Sequence, residues 1–170
     1  MLGEALLYVG ITLFSNGVSR LQKVDAKSAA VMNLFNGGLS LFLNFITAGY
    51  ALYSGGGVSS YYSSATGLLF GFTYLYVGIN GIFDLDTRPY GWYSLFVAIN
   101  SIPAGILCWD GGSGWKMAVI WWLWGILWFT GWVECVAKKN LGSFVGWLGV
   151  FEGIVTAWIP GFLMLTNHWH

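Results

Sequence analysis

Apolar residues in this chain do not alternate with polar ones. They run together in six stretches, at about 2–19, 29–52, 62–83, 91–109, 115–137 and 143–166, and short segments between them hold most of the charge and turn residues. Each stretch meets the roughly 20-residue length that an α-helix needs to cross a hydrocarbon core. Membrane strands would give runs of about ten residues with apolar and polar positions alternating. These runs are twice that length and apolar throughout, so the pattern predicts an all-α membrane protein of six transmembrane helices. The connections, at 20–27, 54–60, 84–90, 110–114 and 138–142, leave no room for a soluble domain, and the chain reads as one transmembrane domain over 1–170.

Composition strengthens this reading: 56% of residues are hydrophobic and 8% charged, against about 25% charged in a soluble domain. Lysine plus arginine and aspartate plus glutamate both number 7, so no basic field exists to hold a nucleic acid. The basic residues also set an orientation, because cytoplasmic loops retain lysine and arginine. Arg20, Lys23, Lys27, Arg88, Lys138 and Lys139 fall in the first, third and fifth connections, and only Lys116 falls in the others. Both termini are therefore expected outside, with Trp109, Trp115 and Trp169 at the outer interface, where indoles prefer to sit. The Met1-Leu-Gly-Glu4 start has no basic leader segment, and the first stretch is expected to remain as a helix. Cys108 and Cys135 are expected near opposite faces of the bilayer, out of reach of each other.

An internal repeat organises the helices. A shift of 61 positions superposes the first two helices on the next two without a gap: Gly10 meets Gly71, Thr12 meets Thr73, Gly17 meets Gly78, Asp25 meets Asp86, and Ser40 meets Ser101. A further shift of 54 brings Gly71 to Gly125 and Asp86 to Asn140, more weakly, and aligns Val9-Gly-Ile-Thr-Leu13, Phe70-Gly-Phe-Thr-Tyr74 and Trp124-Gly-Ile-Leu-Trp128. The chain reads as one hairpin used three times around a pore. Within each string the bulky ends are four residues apart, on one helix face and about 6 Å along the axis. Three hairpins around a common axis would then stack two layers, Val9, Phe70, Trp124 and Leu13, Tyr74, Trp128. These are either ordinary core contacts or the lining of a slot too narrow for hydrated ions, yet passable by a small, flat, neutral molecule.

Among polar residues at depth, Glu152 is the one carboxylate far from a helix end. Its insertion costs roughly 2.5 to 3.5 kcal/mol and marks a cavity or pathway, or else a structural bond to a neighbouring helix. Its repeat equivalents, Gly37 and Ala98, are not acidic. Glu134 precedes Lys138 by four residues, the favourable order for a helical ion pair. Asn33, Asn36, Asn44, Asn80 and Asn100 are expected to bond between helices. The pairs Gly67/Gly71, Gly142/Gly146 and Gly149/Gly153 permit close helix approach, a spacing that chance often produces among 25 glycines. Pro103 and Pro160 predict late kinks that widen the outer mouth. Both histidines, His168 and His170, lie in the terminal tail. No buried histidine can therefore activate a nucleophile or hold a metal, and no phosphate-cradling loop is present, so no enzyme, metal site or cofactor is expected.

Longer strings carry a resemblance. Leu7-Tyr-Val-Gly-Ile11, Ser15-Asn-Gly17, Ala65-Thr-Gly-Leu-Leu-Phe-Gly-Phe-Thr-Tyr-Leu-Tyr76, Asp86-Thr-Arg-Pro-Tyr90, Trp92-Tyr-Ser-Leu-Phe-Val-Ala-Ile-Asn100 and Glu152-Gly-Ile-Val-Thr-Ala-Trp-Ile-Pro160 closely resemble the bacterial AmiS/UreI urea and amide channel family, across all six helices. The resemblance implies passive diffusion of urea or short-chain aliphatic amides. It also implies a homohexamer in the bacterial inner membrane, each protomer with its own pore and lipid filling the ring. It places the pore lining at Leu6, Val9, Leu13, Phe70, Tyr74, Trp121, Trp124, Leu127, Trp128 and Glu152. Indole N–H groups, the Tyr74 hydroxyl and Glu152 would offer hydrogen bonds in place of water. In one respect the chain departs from the family's acid-activated members, which carry long histidine-rich periplasmic loops. Here the second connection is a short Gly/Ser/Tyr stretch and the fourth is Asp-Gly-Gly-Ser-Gly, so the pore is expected to be constitutively open, or to respond only weakly to pH through Asp110 and the tail. A proton-coupled transporter using Glu152 is the alternative.

Overall fold

The computed structural model describes residues 1–110, 112 and 114–169; Gly111 and Ser113 of the fourth connection and His170 of the tail lie outside the described residues. The fold is all-helical: α1 (Leu2–Leu21), α2 (Ala26–Tyr53), α3 (Val58–Phe83), α4 (Arg88–Cys108), α5 (Trp115–Cys135) and α6 (Ser143–Leu165). The last five are long and apolar enough to cross a membrane. α1 has 20 residues, about 30 Å of helix, but Glu4, Ser15, Asn16, Ser19 and Arg20 dilute its apolar character.

Helix ends extend past the apolar stretches where local chemistry supports them. The Asp25 carboxylate accepts the Ser28 N–H at 2.9 Å and starts α2 at Ala26, satisfying a backbone donor that the helix itself leaves free. Pro89 occupies the first turn of α4, where its missing N–H costs nothing. The three connections at this end of the bundle share one design. Lys23, Asp84 and Lys138 all adopt a left-handed conformation, with φ of 57°, 51° and 56°, and they stand at the same 61- and 54-residue shifts as the sequence repeat. Two residues after each, a side-chain oxygen takes up a backbone N–H: Asp25 from Ser28, Asp86 from Arg88 at 2.9 Å, Asn140 from Gly142 at 2.7 Å.

The intimate helix pairs are α2 with α3, α4 with α5, and α1 with α6. Small residues bring them together. On α1, Gly3, Gly10 and Gly17 recur at seven-residue spacing and are buried; a Cβ at Gly10 would sit 2.6 Å from the Trp158 nitrogen. Gly71 on α3 and Gly125 on α5, at the equivalent repeat positions, are also buried. A Cβ at Gly125 would fall 2.1 Å from the Ser101 hydroxyl.

The middle of α6 widens into a π-helical segment, Gly153–Trp158. Pro160 accounts for it: proline has no N–H to donate and its ring collides with the carbonyl four residues back, and an inserted wide turn relieves that conflict. The Ile159 N–H reaches Ile154, five residues back, and the Thr156 hydroxyl donates to the Glu152 carbonyl at 2.6 Å.

Two expectations about polar pairs are corrected. Glu134 does not pair with Lys138. α5 ends at Cys135 and Lys138 is left-handed, so the helical four-residue register no longer exists there. Glu134 instead takes both terminal nitrogens of Arg20 and the Leu141 N–H at 3.0 Å, and Arg20 Nε donates to the Gly142 carbonyl at 2.9 Å. Of the five asparagine side chains, only that of Asn33 bonds to another helix among the described residues. Asn44 and Asn100 donate to the carbonyls of Ser40 and Phe96 at 2.8 Å, a bond available inside their own helices.

Candidate functional site

A cavity of about 550 Å³ opens into the bundle. It begins among Arg20, Asp84, Thr87 and Glu134 at the end that holds the α1–α2, α3–α4 and α5–α6 connections, and ends against Phe70, Tyr74, Trp124 and Trp128. Glu134 and Trp124 are ten residues apart on α5, so its depth is about 15 Å, half the helix. Its wall follows the repeat. Leu13, Tyr74 and Trp128, then Asn16, Val77 and Gly131, then Arg20, Gly81 and Cys135 all line it. Each trio is one position of α1 with its equivalents on α3 and α5.

The closed end is aromatic. The Phe70 ring meets Trp124 edge-on with centroids 4.8 Å apart, Trp128 at 4.9 Å and Trp121 at 5.9 Å, while Trp121 meets Trp124 at 5.3 Å. Such tilted and edge-to-face contacts are the favourable geometry for ring quadrupoles. Phe70 therefore joins the two expected layers instead of belonging to one. Both cavity-end indoles are tied down by threonine. Trp124 Nε1 donates to Thr156 Oγ1 at 2.8 Å, and Trp128 Nε1 donates to Thr73 Oγ1 at 3.0 Å. The Trp124 and Trp128 donors, expected to serve a passing molecule, are thus already engaged. The Tyr74 hydroxyl takes no partner among the described residues.

The ten expected lining residues divide by depth. Leu13, Phe70, Tyr74, Trp124, Leu127 and Trp128 line the cavity. Leu6, Val9 and Trp121 lie in packed apolar clusters and do not line it. Glu152 is fully buried, and neither carboxyl oxygen has a hydrogen-bond partner among the described residues. An orphaned buried polar group in a native structure calls for a role. At the far end of the bundle Trp109 and Trp115 are exposed, and Lys116 Nζ lies 5.3 Å from the Trp169 ring centroid, a cation over an indole face.

A model of the AmiS/UreI family transporters matches residues 1–168. The chain belongs to the AmiS/UreI family. Among its relatives, the acid-activated urea channel of Helicobacter pylori is 50% identical over 196 aligned positions, covering 99% of this chain and all of that one. A Mycolicibacterium smegmatis chain described as an amidate substrates transporter is 36% identical, over 98% of this chain and 78% of its own length. The cryo-EM structure of the Helicobacter pylori urea channel in its closed state superposes with a TM-score of 0.91 at 52% identity, each chain covered completely. AmiS/UreI relatives are channels or transporters, and this family member is likewise a multi-pass membrane protein and not an enzyme.

The threonine anchors, and the Asn16–Asn33 amide pair that also lines the cavity, had no standing as site residues in the sequence. Thr73 sits inside an aligned string, but only the fold reveals that its hydroxyl faces an indole from α5.

Proposed function

We propose that this chain conducts urea and short-chain aliphatic amides passively through one pore per protomer, along the axis enclosed by α1, α3 and α5. The observation that carries this reading is the cavity itself: three successive trios of repeat-equivalent residues line it, and it ends on the Phe70, Tyr74, Trp124 and Trp128 cluster. The repeated left-handed turns and the equivalent helix pairings support a three-hairpin arrangement around that axis. Of the ten expected lining residues, Leu6, Val9, Trp121 and Glu152 would continue the route through the packed half.

Flat neutral molecules suit such a passage. Ring faces held by threonine keep the slot narrow, so a guest sheds its water before entering. A neutral amide loses a few kcal/mol per polar group and regains part of it at the free Tyr74 hydroxyl and at Glu152. An ion cannot recover its hydration energy from phenyl and indole walls. Urea is the conducted solute named for the Helicobacter pylori relative, and amidates are named for the Mycolicibacterium smegmatis relative.

Acid activation is not carried over. The 196-position alignment is longer than this 170-residue chain, and the α2–α3 connection here is only the Ser54–Gly57 segment. Histidine, the side chain that titrates near pH 6, occurs twice and only in the tail. The same reading takes the protein as a hexamer in the bacterial inner membrane with all six helices spanning, and the basic first, third and fifth connections support both termini outside.

Stopped-flow swelling of proteoliposomes in urea and acetamide gradients at pH 5 and pH 7.5, beside empty liposomes, tests the reading. Fast flux at both pH values is expected; flux confined to pH 5 would overturn the ungated part, and none at either would overturn the channel. The orphaned Glu152 carboxyl favours one second reading, a proton-coupled transporter. That reading requires accumulation against a gradient and its loss with an uncoupler, whereas a channel shows neither.

A further inference from the structure

The geometry points to a second amide-binding site in the cavity, formed by Asn16 and Asn33 between its mouth and the aromatic end. This site rests on the conduit reading above and adds to it a place where an amide solute exchanges water for side-chain partners.

Asn16 on α1 and Asn33 on α2 form a reciprocal amide pair. Asn16 Nδ2 donates to Asn33 Oδ1 at 2.9 Å, and Asn33 Nδ2 donates to Asn16 Oδ1 at 2.7 Å and to the Ala29 carbonyl at 2.9 Å. Both residues line the cavity, and Asn33 is only 1% exposed. The accounting leaves Asn16 with one N–H and one acceptor lone pair, and Asn33 with one acceptor lone pair. That set of one donor and two acceptors complements a urea or primary amide, which brings N–H donors beside a carbonyl. Asn80 lines the same cavity, and its amide makes no hydrogen bond among the described residues.

The hairpin design does not demand this pair. Its repeat equivalents are Val77 and Ser94 in one hairpin and Gly131 and Leu148 in the other, neither of which could form it. At the level of Asn16 the other two wall positions are Val77 and Gly131. They leave room on two sides and amide chemistry on the third. The pair stands one turn before the Leu13, Tyr74 and Trp128 trio, where a solute must exchange hydration for other hydrogen bonds if desolvation is not to stop it.

Two measurements test the site. In proteoliposomes, Asn16→Leu is expected to raise the half-saturating concentration for urea and acetamide by about threefold to tenfold, as one or two lost hydrogen bonds would. In wild-type protein carrying ¹⁵N-labelled asparagine in nanodiscs, the Asn16 and Asn33 side-chain amide signals are expected to shift with urea over the range in which flux saturates. The nanodisc measurement stands even if the variant fails to fold. Wild-type flux together with unmoved amide signals, or an unchanged half-saturation in a folded Asn16→Leu protein, would overturn the amide site alone. Absence of wild-type urea and acetamide flux would overturn the conduit reading and the transport role of the site with it.

Discussion

Thr73 and Thr156 each spend a hydroxyl on an indole nitrogen and donate their own proton to a backbone carbonyl, at Leu69 and Glu152. Each threonine thereby locks a tryptophan ring at the cavity's end to a neighbouring helix. Thr73→Val keeps the shape, leaves the Trp128 N–H buried without an acceptor, and is expected to cost about 1–3 kcal/mol. Thermal unfolding in detergent gives the stability change, and the urea-to-acetamide flux ratio shows whether a freed Trp128 alters selectivity. Glu152→Gln removes the charge option and preserves the carbonyl acceptor. Flux through a channel survives this change, whereas proton-coupled uptake does not, and the two are separated by uptake with and without an uncoupler.

Element-scale behaviour turns on helix approach and on the three shared turns. Gly10→Ala drives a methyl to 2.6 Å from backbone on α6, and overpacking of that kind costs about 1–3 kcal/mol. Gly38→Ala meets nothing within 4 Å and is expected to be neutral or to stabilise α2 by up to about 1 kcal/mol. Unfolding midpoints of the two variants, compared side by side, check the contrast. At the turns, Lys138→Val places a β-branched residue in the left-handed region and is expected to destabilise by about 1–2 kcal/mol, read in the same assay. At the α3–α4 turn, the Arg88 guanidinium holds the Asp86 carboxyl down to about 2 by a charged hydrogen bond. Because the folded value lies below the ordinary 3.8, whatever this group contributes is fully present above pH 4 and is lost only as pH falls toward 2. A ¹³C carboxyl titration of Asp86 should show its midpoint there, with the α3–α4 turn unchanged between pH 8 and pH 5.

At the scale of the whole molecule, the cavity is open at one end and packed shut at the other. Arg20, Glu134, Leu141 and Gly142 clasp α1, α5 and the start of α6 at the open end. A tight apolar cluster of Leu6, Val97, Ile120, Trp121 and Trp124 fills the other. If solutes cross along this axis as proposed, rings must move in the packed half, and flux is expected to rise steeply with temperature until they do so freely. Of the two histidines, both in the tail, His168 is exposed, so no imidazole among the described residues is buried to couple that motion to pH near 6. Flux at pH 5 and at pH 7.5 should agree within about twofold, less than one titrating group shifted by a single unit would produce.

Sequence alone determined what depends on composition and periodicity. Six apolar runs specify helices because a lipid interior leaves no partner for an open backbone, and the 61- and 54-residue shifts align Gly10, Gly71 and Gly125 at one repeat position, buried in each case. The same strings located Phe70, Tyr74, Trp124 and Trp128 before any fold was known, since residues four apart on a helix share a face. Side-chain partners were decided only by the tertiary structure. Glu134 chose Arg20, 114 residues away, over Lys138, four residues away, because the helix between them ends. Asn16 found Asn33, and Trp128 found Thr73, across interfaces that no local pattern encodes. Hydrogen bonds and ion pairs depend on ångström-scale distance in space. Spacing along a chain predicts that distance only while both residues stay on one unbroken helix.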